Sequence, residues 1–172
     1  MQYYSIIKAI INYVTNEDIS QINLQKRKMI QHILYLSTEL GVYIGDFVWN
    51  ATKRGIESNS VSSIIEDCKR KNKDNSDVVE LKEIIKNKLN PLRELTNKHK
   101  IYEVAKEDWL FVLATVHYVY SHKAAVKNTE VIIKVLVRRG FEIHTTEVLN
   151  ALKELENHKL ISIKKKNKRV SK

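Results

Sequence analysis

Hydrophobic residues recur at helical spacing along most of the chain. In the first segment, six apolar residues fall at i, i+3, i+4, i+7, i+8 and i+11, namely Tyr3, Ile6, Ile7, Ile10, Ile11 and Val14. Similar patterns predict helices over about 23–40, from Ser58 onward, and from Asp77 through Leu89. The single proline, Pro91, is expected to break or kink the last of these helices, with a continuation toward His99.

The least charged stretch of the sequence predicts the centre of the core. Residues 109–120 read WLFVLATVHYVY, and their apolar positions cover nearly every side of a helix. A helix with this pattern is buried by its neighbours, and at about twelve residues it is too short to span a bilayer. We therefore expect a central helix inside an all-α core.

The segment after the second helix has a different character. Gly41 stands where a left-handed C-cap is expected. Residues 42–50 are rich in β-branched and aromatic side chains, which predicts either a short strand or an extended segment packed over the core.

The C-terminal third combines two short helices with strand-like residues. The first helix is capped by residue 128 or 129 and ends at Gly140, and the second is capped by residue 145 or 146 and ends near His158. The sequence that follows predicts a strand, a basic turn and a returning strand, at 160–163, 164–168 and 169–170. This hairpin would complete the C-terminal unit.

Residues 146–161, TEVLNALKELENHKLI, carry a resemblance to winged helix-turn-helix regulators that extends over about 106–172. The resemblance implies that the second helix of the pair lies in the major groove of DNA and that the wing contacts the backbone or the minor groove. We accordingly expect a mainly α fold: a helical bundle, with an N-terminal helical region at 1–100 and a winged-helix-like unit with a short β-hairpin within 101–172.

Positive charge is concentrated at the end of the chain. Of the net charge of +10, seven charges lie within residues 159–172, which contain no acid. Such a segment attracts phosphate or an acidic protein surface, or serves only as a solvated tail. The solvent face of the second helix is expected to present Glu147, Asn150, Lys153, Glu154 and Asn157. Its two carboxylates would oppose DNA, which favours backbone contacts over base readout.

These features predict a non-enzymatic regulator that binds duplex DNA. The residues expected to contact phosphates on the wing are Lys164, Lys165, Lys166, Lys168 and Arg169. Arg138, Arg139 and Lys153 are expected as secondary contacts, and Asn150 as the base reader. The alternative is a protein-binding module, antitoxin-like or an inhibitor, whose basic tail contacts an acidic partner. Assembly as a homodimer stays open.

A second resemblance covers nearly the whole chain. Its first half is carried by Gln31 to Leu36, Glu39-Leu40-Gly41, Phe47-Val48-Trp49, Arg54-Gly55 and Ser60, and its second half by Asp108-Trp109-Leu110 and His117-Tyr118. These residues resemble the small YwgA-type proteins, whose relatives include antitoxin-like modules of the Panacea class. This chain has Gly-Ile-Glu-Ser at 55–58 in place of the Gly-Pro-Tyr-Ser loop typical of the group. The resemblance implies an interaction or regulatory role.

Motifs for catalysis or cofactor binding are not apparent. His117 and His122 are five residues apart and point to different helix faces, and no Cys or carboxylate pair completes a tetrahedral metal set at standard spacing. The isolated glycines form no phosphate-binding loop. We therefore expect no catalytic residue, metal or cofactor. The single cysteine, Cys68, and an N-terminus without signal-peptide order predict a cytoplasmic protein that does not enter membranes.

Overall fold

A computed structural model describes residues 2–19, 23–71, 79–125 and 127–163 of the chain. The described part is mainly helical, as predicted, with one small antiparallel sheet. Its elements, in chain order, are α1 (Gln2–Thr15), α2 (Leu24–Glu39), β1 (Asn50–Thr52), β2 (Gly55–Glu57), α3 (Asn59–Lys71), α4 (Glu83–Asn97), α5 (Lys106–His122), α6 (Thr129–Arg138) and α7 (Thr145–Asn157). One turn of 3-10 helix, Lys98–Lys100, follows α4.

Helix α5 is the central helix that the apolar pattern predicted. Eight consecutive residues at 112–119 are buried, as are Trp109 and Leu110, because α2, α4, α6, α7 and the hairpin surround the helix. Glu107 and Asp108 in its first turn complement the positive end of the helix dipole. The Trp109 indole N–H donates to the Leu95 carbonyl at 2.8 Å, so the one polar group of this side chain is satisfied inside the core.

Helix α2 forms the other half of the core. Its cap is Asn23, whose side-chain oxygen accepts from the Lys26 N–H at 2.8 Å. Every residue from 29 to 37 is buried, including Gln31, whose side chain pairs with the backbone of Ser58 in both directions, at 3.0 and 3.2 Å. This pairing fixes the start of α3 against α2. Gly41 has a φ of +75° just after the helix, which confirms the predicted left-handed C-cap.

Helix α4 begins later than the sequence predicted, and it is not broken at Pro91. It begins at Glu83, since residues 79–82 are not helical, whereas Asp77, the predicted start, lies outside the described residues. It then continues through Pro91 to Asn97 without a break. The carbonyl that loses its partner at a helical proline belongs to residue i−4, here Asn87, which is exposed and open to hydration. Packing of the buried Leu89, Leu92 and Leu95 keeps the helix continuous.

A β-hairpin lies in the first half of the chain, where sequence reasoning did not predict one. Strands β1 and β2 pair in the register Asn50↔Glu57, Ala51↔Ile56 and Thr52↔Gly55. Ile56 is fully buried, and β2 packs on both α2 and α5. The preceding residues 42–49 form neither helix nor strand, so the short strand predicted for 42–50 is limited to its last residue, Asn50.

Gly55 allows the hairpin to approach α2 closely. Its φ is +121°, a conformation that side chains disfavour, and a Cβ at this position would lie 2.2 Å from Nε2 of His32. The neighbouring ring of Phe111 would be 3.0 Å away. The hairpin therefore depends on glycine both for backbone conformation and for space.

We expect Gly55→Ala to lower the free energy of unfolding by about 3 kcal/mol, because backbone strain and overpacking act together. The matched control is Gly140→Ala, since Gly140 also has a positive φ, +72°, but no atom lies within 4 Å of its added Cβ. Gly140→Ala should lower the free energy of unfolding by only about 1 kcal/mol. Urea denaturation of both variants measures the difference, and equal losses would contradict the steric explanation.

Candidate nucleic-acid interface

Helices α6 and α7 form the two-helix unit that the sequence predicted near the C-terminus. The Asn128 side chain caps α6 by accepting from the Val131 N–H at 2.9 Å. At the start of α7 the cap residue is His144, one position before the predicted threonines, and its N–H donates to the Glu147 carboxylate at 2.9 Å. The turn between the helices buries Phe141, and both helices pack on α5.

The structure places four of the predicted contact residues on this unit. Arg138 is the last residue of α6 and Arg139 its C-cap, and both are exposed. Lys153 is exposed on α7, and Asn150, half-buried, lies one turn before it on the same side of the helix. The wing residues Lys164, Lys165, Lys166, Lys168 and Arg169 lie outside the described residues.

The segment before the wing was predicted as a strand, yet 160–163 forms no strand within the described chain. Its backbone instead bonds to side chains: the Ser162 N–H donates to the Tyr120 hydroxyl at 3.0 Å, and that hydroxyl donates to the Ser162 carbonyl at 2.8 Å. The Ile163 N–H donates to the Glu156 carboxylate at 3.1 Å. The returning strand, 169–170, lies outside the described residues. The winged-helix unit is therefore not confirmed, and what is described is a helix pair on α5.

Glu154 is not on the solvent face of α7, where it was predicted. It is buried, and its carboxylate accepts from the Tyr102 hydroxyl at 2.7 Å and lies 3.7 Å from the Lys98 ammonium. Burial, then the hydrogen bond to Glu154, raises the pKa of Tyr102 to about 12. Position 154 continues the i, i+3 series of Val148 and Ala151, which is the sequence signal that could have indicated an inward side chain.

Leu149, one of the apolar residues of α7, is 47% exposed. It lies beside Val148 and Leu152, which are buried, and the packing surface of α7 is narrower than the apolar pattern suggested. Val137, near the end of α6, is 69% exposed. The exposed surface of the helix pair is thus partly apolar and partly basic.

The three adjacent basic residues at 26–28 have different environments. The Lys26 ammonium donates to the Asp18 carbonyl at 3.3 Å, and Arg27 pairs with Glu66. Lys28 instead lines a cleft beside His32. The sequence could not separate these three roles, because they depend on segments distant in the chain.

A buried hydrogen-bond network joins the base of the helix pair to the core. The Tyr35 hydroxyl and Nδ1 of His117 are 2.8 Å apart, and His117 also hydrogen-bonds the backbone of Leu160. Burial lowers the pKa of His117 to about 4, although the Leu160 hydrogen bond acts in the opposite direction. A neutral imidazole can accept from Tyr35 through Nδ1 and donate to the Leu160 carbonyl through Nε2.

His122, the second histidine considered for a metal, is on the surface. Its ring stacks on Tyr118 at 4.7 Å and lies 3.9 Å from the Glu39 carboxylate. Within the part of the chain that the structure describes, no group of three His, Cys, Asp or Glu side chains could hold a metal ion.

Comparisons with known proteins add no relative. No protein-family model matches the chain, and neither the curated proteins nor the solved structures contain a match. Among the described helices, none has both the length and the hydrophobicity needed to cross a bilayer.

We expect stability to fall as the pH drops below about 6.5. The unfolded chain binds protons at its histidines near that pH, whereas folded His117 stays neutral down to about pH 4 and folded His32 to about 3. For His117 alone, the free energy of unfolding should fall by about 2 kcal/mol between pH 8 and pH 5. His117→Asn, which retains an acceptor for Tyr35, should show a pH dependence weaker by that amount in urea denaturation. Equal pH dependence in the two proteins would contradict this assignment.

Proposed function

We propose that the protein is a non-enzymatic regulator that binds duplex DNA through α6, α7 and the basic residues that follow. In this proposal α7 lies in the major groove, with Lys153 beside a phosphate and Asn150 facing a base edge. Arg138 and Arg139 contact the backbone from the end of α6. Lys164, Lys165, Lys166, Lys168 and Arg169 supply further phosphate contacts.

The observation that carries the proposal is the engagement of all three carboxylates of α7 with the protein itself. Glu147 accepts from the His144 N–H, Glu154 from the Tyr102 hydroxyl, and Glu156 from the Ile163 N–H. A free carboxylate on a recognition helix would repel phosphate. Glu147 and Glu156 keep their negative charge when they accept these hydrogen bonds, whereas Glu154 lies inside the core beside the Lys98 ammonium. Of the three, the burial of Glu154 is what reduces the repulsion expected from the sequence, and the exposed Lys153 supports DNA contact.

We expect the logarithm of the DNA association constant to fall with the logarithm of salt concentration with a slope of about −5, if roughly six phosphates are neutralised. Lys153→Ala should weaken binding for all sequences and reduce the slope by about 1. The matched control is Lys82→Ala, an exposed lysine at the start of α4. Fluorescence anisotropy with a labelled duplex at several salt concentrations measures these values.

Removing residues 164–172 should reduce the steepness of the salt-dependence slope by more than Lys153→Ala does. Absence of binding at low salt, or a truncated chain with unchanged affinity and slope, would refute the DNA proposal. Asn150→Ala should reduce the binding free energy for a preferred DNA sequence by about 1–3 kcal/mol. The variant should also discriminate less between bases at the contacted position.

A specific observation favours the second candidate function, a protein-binding module of antitoxin-like or inhibitor type. Exposed Leu149 and Val137 place apolar surface on the same two helices as Arg138, Arg139 and Lys153. An apolar centre with a charged rim is the usual composition of a protein interface. An acidic partner surface would complement the cations.

We expect, for this second function, a stoichiometric partner that stays bound after nuclease treatment and is lost on Leu149→Glu. The matched control is Ile84→Glu on α4, because Ile84 is 65% exposed. Affinity capture followed by size-exclusion chromatography measures the stoichiometry. Loss of the complex on nuclease treatment would favour the DNA proposal over this one.

A further inference from the structure

A cleft lies between α2, the hairpin turn and the start of α5. It has a volume of about 330 Å³ and is formed by three segments that are distant in sequence. Helix α2 contributes Gln25, Lys28 and His32 on one face, at intervals of three and four residues. The hairpin turn contributes Lys53 and Arg54. The first turns of α5 supply the opposite wall.

The buried histidine of this cleft has an unused polar atom. His32 is only 1% exposed, and its Nδ1 is buried without a hydrogen-bond partner in the described chain. The ring is held between Phe111, whose centroid lies 5.8 Å away, and the backbone of Gly55. Burial, with a contribution from the Lys28 charge, lowers the pKa of His32 to about 3, so the imidazole is neutral at pH 7. This nitrogen is enclosed by protein atoms, so it is a polar group beneath the wall of the cleft and not a direct ligand contact.

The walls of the cleft carry charges of opposite sign on different elements. Lys28, Lys53 and Arg54 come from α2 and the hairpin, whereas Glu107 and Asp108 come from α5. Within the described residues, no ion pair within 4.0 Å joins any of these five side chains to another group. Three cations that converge on one cleft and are not neutralised by the protein constitute a site for a multiply charged anion.

We propose that this cleft binds a small phosphorylated molecule of mononucleotide size. The phosphate would lie between Lys28, Lys53 and Arg54, where the guanidinium fork can donate two parallel hydrogen bonds. The carboxylates of Glu107 and Asp108 repel a phosphate and accept from hydroxyls, so the sugar would lie toward α5. Phe111 offers an aromatic surface for a planar base, whereas His32, which also lines the cleft, is almost fully buried. The volume is within the range of small-molecule sites.

This assignment is independent of DNA binding by α7, and the two proposals can fail separately. The test is calorimetric titration of the full chain with each common ribonucleoside monophosphate, with the matching nucleosides and with inorganic phosphate. We expect at least one monophosphate to bind with a dissociation constant below about 1 mM and its nucleoside to bind at least roughly tenfold more weakly.

Variants locate the site. Arg54→Ala and Lys53→Ala change exposed side chains of the hairpin turn, and each should lower the affinity for the monophosphate by roughly tenfold. The matched control, Arg139→Ala, changes an exposed arginine of the α6–α7 unit. It should leave monophosphate affinity unchanged and lower the affinity for DNA. In ¹⁵N-histidine spectra, the His32 Nδ1 resonance should shift on addition of ligand, whereas that of His144 should not.

Four results would overturn the proposal. The first is absence of binding by every monophosphate at about 1 mM. The second is equal affinity for a monophosphate and its nucleoside, or for inorganic phosphate alone. The third is an unchanged affinity for the monophosphate in both Arg54→Ala and Lys53→Ala. Tighter binding of a zwitterionic amino acid such as glutamine than of any monophosphate would also reject the assigned ligand class.

Discussion

Burial of α5 is the constraint on which the rest of the described structure depends. This helix has almost no polar face, so neighbours must cover it on every side, and they come from both halves of the chain. Two large polar side chains inside are paired, the Trp109 indole with the Leu95 carbonyl and the Tyr35 hydroxyl with His117. The Thr115 hydroxyl of α5 and Nδ1 of His32 are buried without a hydrogen-bond partner among the described residues. Rings of Trp49 and Tyr118 lie 5.7 and 5.9 Å from that of Tyr35, which holds the end of the irregular segment 42–49 onto α2 and α5.

The same helix carries the start of the basic region. His117 and Tyr120, three residues apart on α5, hold the backbone at Leu160 and Ser162, immediately before the lysine-rich residues. The direction in which the chain leaves α7 is therefore determined by core side chains. Protonation of His117 would remove the acceptor for Tyr35, so acid acts on the core and on the attachment of this segment together.

Helix positions and the mainly α fold could be predicted because periodicity reports local amphipathicity, and α5 could be recognised because it lacks a polar face. The exposure of Leu149 could not be assigned from the sequence, since it depends on how α7 is rotated against α5. Glu154 continues the series of Val148 and Ala151, which is a local signal for an inward side chain, but its partner Tyr102 is distant in sequence. Continuity through Pro91 depends on tertiary packing that outweighs local preference. The cleft is formed by residues at 25–32, 53–55 and 105–111, and no local pattern indicates that these segments meet. The DNA and protein roles, and both family resemblances, stay predictions.

The hairpin at Asn50–Glu57 consists of two strands of three residues each, which would be marginal in isolation. It is retained by Ile56 in the core and by the contact of Gly55 with His32. Detachment of so small a unit would uncover Ile56 and part of α5, yet its free energy can lie below that of global unfolding because few contacts are lost. Because one wall of the cleft belongs to this unit, the lifetime of the cleft is governed by local opening of the hairpin. The exchange rates of its amide hydrogens, and not the melting temperature, report on that lifetime.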